Sequence, residues 1–181
     1  MNTDDTAIRL RPLQNTDEAE LAPLFSDRGT LRFYLPTLLR SYSSEQLRHL
    51  LADWNDQPGV MILSIVGKLS DREEVLGLVN LNGISYTNGN CELGIALLSH
   101  ARGQGAAKAA LIQSINYCFD ELRLHRVWCR VMADNQPSLK LFHNLGFTDE
   151  GRLRQHVNRE GRYLDLIVLG LLRDEWYRPE G

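Results

Sequence analysis

The sequence predicts one α/β domain over residues 1–181, built on a mixed, mostly antiparallel sheet of about six to seven strands with helices on both faces. Three observations predict it. The chain has 181 residues, 43% of them hydrophobic and 24% charged, which suits one well-filled core. Stretches of strand-like and helix-like period alternate along it, with no internal repeat and no Pro/Gly/Ser-rich linker. A strand–long helix–strand unit sits between runs joined by short turns, so one parallel crossover interrupts an antiparallel arrangement.

In order along the chain, Ile8 and Leu10 alternate with Arg9 and Arg11, the period of a short half-buried strand. Thr16, Asp17 and Glu18 read as a helix start, with acids at the positive end and Leu21, Leu24 and Phe25 turned inward. Ser43 and Gln46 have capping-box spacing ahead of Leu47, Leu50, Leu51 and Trp54, a second amphipathic helix that Pro58-Gly59 stops. Strands are expected at 61–66, 75–81 and 91–98, separated by polar turns, as an antiparallel meander. Residues 105–122 are alanine-rich, and Ala107, Leu111, Ile115, Cys118 and Leu122 recur at helical spacing. Residues 127–132 make a buried strand containing Trp128, a core residue by this reading. Residues 137–145 make a short helix, with Asn135 or Gln136 at its cap and Gly146 after its end. Strands 147–157 and 163–172 close the chain as a hairpin turned at 158–161.

A net charge of −3 gives no whole-chain attraction to nucleic acid or to an anionic membrane, so neither is an expected partner. Cys91, Cys118 and Cys129 lack C-x-x-C spacing, which disfavours zinc ribbons and dithiol redox chemistry. They read as buried reduced thiols of a cytoplasmic protein. The start, MNTDDTAIRLRPL, is unlike a signal peptide, and no apolar run approaches the ~18 residues of a membrane span. His49, His100, His125, His143 and His156 are scattered, with no ligand spacing and no metal expected. Tyr34, Tyr42 and Tyr86 are candidates for a cleft wall or for plain packing.

The most informative stretch joins a strand to the long helix: Arg102, Gly103, Gln104, Gly105, Ala106, Ala107 and Lys108. Two glycines let backbone N–H groups converge, and those donors sit at the positive end of a helix that no Ser, Thr, Asp or Asn caps. The alternatives are a pyrophosphate cradle and a tight turn without a ligand. Gly-Lys-Ser/Thr is absent, so a nucleoside triphosphate loop is excluded. Lys108 stands where a dinucleotide fingerprint needs its third glycine.

Arg102-x-x-Gly105-x-Ala107 resembles the coenzyme A signature of the GNAT acetyltransferase superfamily. The resemblance extends along the chain. Ile8 to Leu13 is similar to its opening strand, and Glu92-Leu93-Gly94-Ile95 precedes the signature at the usual spacing. Asp134 to Phe147 is similar to its asparagine helix ending in Leu-Gly-Phe. Gly161 to Asp165 and Arg173 to Trp176 resemble the close of the ribosomal-protein and spermidine acetyltransferase branch.

The resemblance implies a GNAT-like fold and an acetyl-CoA-dependent N-acetyltransferase. The acetyl group would pass by direct attack in a ternary complex to a protein N-terminus, a polyamine or another small amine. It assigns Arg102 through Lys108 to the pyrophosphate, and the backbone of Ile95, Ala96 and Leu97 to the pantetheine arm and the thioester carbonyl. Glu92 becomes the candidate base: a carboxylate in apolar surroundings resists ionisation and suits that work, the alternative being an outward-facing strand residue. Asn135 bonds the coenzyme arm, caps its helix, or both. Phe142 stands where many relatives carry a tyrosine that protonates the leaving thiolate, and it has no proton to give. Ser138, one turn earlier, is the candidate replacement acid, or ordinary helix surface. A coenzyme A-binding sensor without catalysis is the competing class. A homodimer is the base-rate expectation.

Overall fold

The computed structural model describes residues 8–27, 29, 33, 42–68 and 72–177. Seven strands form one sheet in the order β1-β2-β3-β4-β5-β7-β6. They are β1 (Arg9–Pro12), β2 (Met61–Lys68), β3 (Glu73–Ser85), β4 (Asn90–Leu97), β5 (Arg126–Met132), β6 (Thr148–Arg159) and β7 (Arg162–Leu172). All neighbours are antiparallel except β4 and β5. The helices are α1 (Glu18–Leu21), α2 (Ser44–Asn55), α3 (Ala106–Asn116) and α4 (Gln136–Asn144).

Two cores flank the sheet. Alternation along each strand sends neighbouring side chains to opposite faces. Cys91, Leu93 and Leu97 of β4, with Val79, Leu81, Val127, Cys129 and Val131, pack against α3 and α4. Ala96 and Leu78 join Leu21, Leu24, Phe25, Leu47 and Leu51 beneath α1 and α2 on the other face.

Local chemistry explains most boundaries. Ser43 caps α2: its hydroxyl accepts from the Gln46 N–H at 3.2 Å while the Gln46 side chain accepts from the Ser43 N–H at 3.0 Å. The hairpin between β6 and β7 turns on Glu160 and Gly161, both at positive φ (52° and 77°), the conformation a two-residue turn of this hand requires. The expected first helix is broken. A 3-10 turn (Asn15–Asp17), α1 and a second 3-10 turn (Ala22–Phe25) replace it. Asp17 turns inward to accept from Arg11 at 2.6 and 2.7 Å, from the Ser64 hydroxyl at 2.6 Å and from the Gln14 N–H at 2.9 Å. Regular helix also ends earlier than the pattern predicts: α3 stops at Asn116 and widens into a π-type turn (Tyr117–Glu121) that buries Cys118 and Phe119. Trp128, expected in the core, is half-buried on the α2 face.

Candidate active site

The parallel strands β4 and β5 pair only at Asn90–Arg126, Cys91–Val127 and Glu92–Trp128. Beyond that point they part. Leu93 to Leu97 remain paired to β3 but have no partner on the β5 side. A fork of this kind exposes backbone donors and acceptors that an extended ligand can take as a neighbouring strand would. A cavity of about 1630 Å³ fills the fork. It exceeds the several hundred Å³ typical of a small-molecule pocket, as a long ligand plus a second one would need.

One end lies at the start of α3. Gly103 and Gly105 have φ of +76° and +83°, and Gly105 is the cap residue of α3 with no side-chain acceptor at the helix start. A Cβ at either glycine would meet nothing within 4 Å, so the backbone there faces open space. Arg102 folds back: its Nε and Nη2 donate to the Leu97 carbonyl at 3.1 and 3.0 Å, tying the loop to the end of β4. Ile95, Ala96, Leu97, Arg102, Gly103, Gly105, Ala107 and Lys108 line the cavity. Gln104 and Ala106 do not. Gln104 donates to the His100 carbonyl at 2.7 Å, and Ala106 is buried in the core.

The N-terminal turn of α4 forms the β5-side wall, through Asn135, Pro137, Ser138, Leu141 and Phe142. The Asn135 side-chain oxygen accepts from the Ser138 N–H at 3.3 Å, so the capping role is present. The Ser138 hydroxyl has no partner among the described residues. Phe142 is 3% exposed and meets Phe147 edge to face at 5.1 Å, which fixes its ring.

On the opposite face of the sheet stands Glu92, at the mouth of the fork. The sequence suggests a lone carboxylate among apolar neighbours. Instead it accepts two hydrogen bonds from Arg130 of β5, Nε at 2.7 Å and Nη2 at 2.9 Å, and that pair holds the guanidinium further above its ordinary pKa. Arg130 also lies over the Trp128 ring, 5.6 Å from its centre. Asn82, opposite Glu92 in register, accepts from the Trp54 indole at 3.4 Å. Asp53 and Trp54 of α2 complete this end together with Tyr42, Asn80 and Asn82. Sequence reasoning missed Arg130, Asp53, Trp54, Asn80 and Asn82. The i, i+2 spacing of Trp128 and Arg130 marks a polar face of β5, but their meeting with Glu92 depends on the register between strands distant in sequence.

Tyr42 reaches the cavity wall, whereas Tyr86 is 70% exposed on the β3–β4 turn; Tyr34 lies outside the described residues. All five histidines are exposed. Cys91, Cys118 and Cys129 are buried free thiols, with the Cys91 and Cys118 sulfurs 3.8 Å apart. Burial pushes the Cys129 thiol well above its usual range, so it faces the cavity as a small neutral group. Among the described residues no set of three or more side chains is gathered to hold a metal, and no helix is long and apolar enough to cross a membrane.

A single sheet split between two parallel strands, with a long cavity through the split and an uncapped helix start at one side, is the architecture of this site. Residues 7–148 match the acetyltransferase (GNAT) domain family. The uncharacterized N-acetyltransferase p20 of Bacillus licheniformis is 30% identical over 170 residues, 93% of this chain and 94% of that protein. The spermidine N(1)-acetyltransferase of Escherichia coli K12 is 22% identical over 177 residues, covering 94% and 88% of the two chains. In structure, the spermidine N-acetyltransferase from Vibrio cholerae in complex with CoA and spermine superposes with a TM-score of 0.83 at 23% identity, over 93% of this chain and 96% of that one. The chain belongs to the acetyltransferase (GNAT) family, and is an N-acetyltransferase whose donor is acetyl-CoA.

Proposed function

We propose that the protein moves the acetyl group of acetyl-CoA directly to a primary amine while both ligands are bound. The observation that carries this reading is the cavity itself: it runs through the β4–β5 fork, with the α3 helix start at one end and Glu92 at the other. The backbone N–H groups from Gly103 to Lys108 hold the pyrophosphate, where the helix dipole adds its field. The unpaired edge of Ile95, Ala96 and Leu97 takes the pantetheine arm, and a backbone N–H there polarises the thioester carbonyl. Asn135 and Phe142 flank the sulfur end.

The acceptor enters from the α2 face. Glu92 accepts a proton from the ammonium, directly or through water. The freed nitrogen attacks the thioester carbon; a C–N bond forms and the C–S bond breaks. The thiolate leaves and takes a proton from the Ser138 hydroxyl, which solvent replenishes. After attack the nitrogen sheds its second proton to solvent, so two protons leave it and one returns on the thiolate; the products are the N-acetylated amine, coenzyme A and one net proton. Holding both reactants in one geometry is the main source of rate in such a step.

The test is thiol release from acetyl-CoA across a panel of amines, alongside the thermal shift caused by coenzyme A. Release with any primary amine supports the reading. Binding without release on every amine points to the sensor, the class that the missing hydroxyl of Phe142 favours. No binding of coenzyme A overturns both.

A further inference from the structure

The acceptor end of the cavity carries a charge pattern that separates classes of amine. Among the described cavity residues the only carboxylates are Asp53 and Glu92. Glu92 is already engaged by Arg130 through both its oxygens. A polyamine brings two or more ammonium groups, each needing a carboxylate when water is removed. Among the described residues only Asp53 and the already paired Glu92 are at hand, so a polycation leaves at least one ammonium facing Arg130 instead of a free carboxylate.

Arg130 offers the opposite chemistry. Its Nε and Nη2 hold Glu92, while Nη1 has no partner among the described residues. The side chain is 40% exposed and lines the cavity, and stacking on Trp128 at 5.6 Å fixes its plane. A molecule bearing an ammonium and an anion a few bonds apart is the charge complement of the Glu92–Arg130 pair. Its nitrogen meets Glu92 and its anion meets the spare edge of Arg130, so four charges alternate in sign.

Resting on the acetyl-transfer reading above, we infer that the acceptor is a primary amine carrying a carboxylate close to its nitrogen, bound through Arg130, rather than a polycation. Two sources share this chemistry: a free α-amino acid, and a peptide whose second residue is acidic.

The experiment measures kcat/KM for acetyl transfer to matched acceptors: alanine against alaninamide, Ser-Asp amide against Ser-Lys amide, and spermidine. The wild type is expected to favour the carboxylate member of at least one pair by about 10–100-fold, the range for one hydrogen bond to a charged group, expressed mainly in KM. Spermidine falls below it. A preference for alanine identifies a free amino acid, and one confined to Ser-Asp amide identifies a peptide N-terminus. In Arg130→Gln the preference collapses toward unity, and Arg130→Lys recovers part of it. Because the readout is a ratio within one variant, a general loss of folded protein cancels. Spermidine as the best acceptor, equal rates within both pairs, or a ratio that survives Arg130→Gln overturns the inference while leaving the acetyl-transfer reading intact. No thiol release with any amine overturns both.

Discussion

Replacing Gly105 with valine separates the cradle at the start of α3 from the rest of the fold. A side chain there meets nothing within 4 Å, so the substitution creates no clash. Its cost comes from the backbone, held at φ +83°. An L-residue in that region costs about 1–2 kcal/mol, and a β-branched one stands at the upper end. With 181 residues and an unfolding entropy of about 2.1 cal/mol/K per residue, 2 kcal/mol lowers Tm by about 5 °C. Coenzyme A at one hundred times its Kd contributes about 2.7 kcal/mol, or about 7 °C by the same entropy. If the isopropyl group blocks the converging N–H groups and weakens binding about thirtyfold, the same concentration leaves a shift of about 2 °C. Gly161→Val is the control: it has the same kind of positive φ, +77°, and the same open space, but sits on the β6–β7 turn. It should lower Tm similarly and keep the full coenzyme A shift. Differential scanning fluorimetry on the three proteins reads both quantities. A full shift in Gly105→Val would place the phosphates elsewhere and refute the cradle.

Three further outcomes are expected. Ser138→Ala lowers kcat about tenfold, at or below the low end of general-acid effects because a thiol is a fair leaving group; adding Phe142→Tyr restores it, and a silent Ser138→Ala shows that the proton comes from another source. Glu92→Gln costs an alkylamine of pKa near 10.4 more than an α-amine near 7.8, because deprotonation at pH 7 demands about 4.6 kcal/mol from the first and about 1 from the second; kcat/KM against pH on one amine of each kind decides, and equal losses flat with pH leave Glu92 a positioning role only. Asp17→Asn lowers stability at pH 7 by about 3–5 kcal/mol in urea unfolding, since it breaks a buried pair. Burial alone would push the Asp17 carboxyl up, but hydrogen bonds from Arg11, Ser64 and Gln14 together hold it below its usual range. Its stabilisation is therefore complete above the unfolded value of about 3.9 and is lost as pH falls through the folded one, so the gap between wild type and variant closes in acid.

What the sequence makes legible is what local chemistry decides. The Ser43–Gln46 box, the Asn135 cap, the Gly146 stop and the Gly103–Gly105 turn each depend on a few adjacent residues, and each stands where the pattern puts it. Strand identity follows from alternation. Illegible are features decided by residues far apart. Thr16, Asp17 and Glu18 read as a helix start with acids at its positive end, yet Asp17 turns inward to Arg11 and Ser64 of neighbouring strands. The end of α3 yields to the burial of Cys118 and Phe119. Glu92 is visible as an unusual strand residue, but its partner is 38 positions away and appears only once β4 and β5 lie in register. The glycine turn at the start of α3 is thus written in one loop, whereas the Glu92 end of the cavity is assembled from α2, β3, β4 and β5.

The short join between β4 and β5 also has a mechanical consequence. On one side of it lies a leaf made of β1 to β4, on the other a leaf made of β5, β7 and β6, and each is laced by long antiparallel ladders. The hydrogen bonds that tie the leaves directly are confined to one end of a V, so compliance concentrates along that crease. On the proposed reading a ligand lying in the V adds the missing rungs and the molecule stiffens as it loads: those amides of residues 93–97 that point away from β3 exchange slowly only while the donor is in place. If acetyl transfer runs as proposed, the bond being broken sits on the axis about which the two leaves flex.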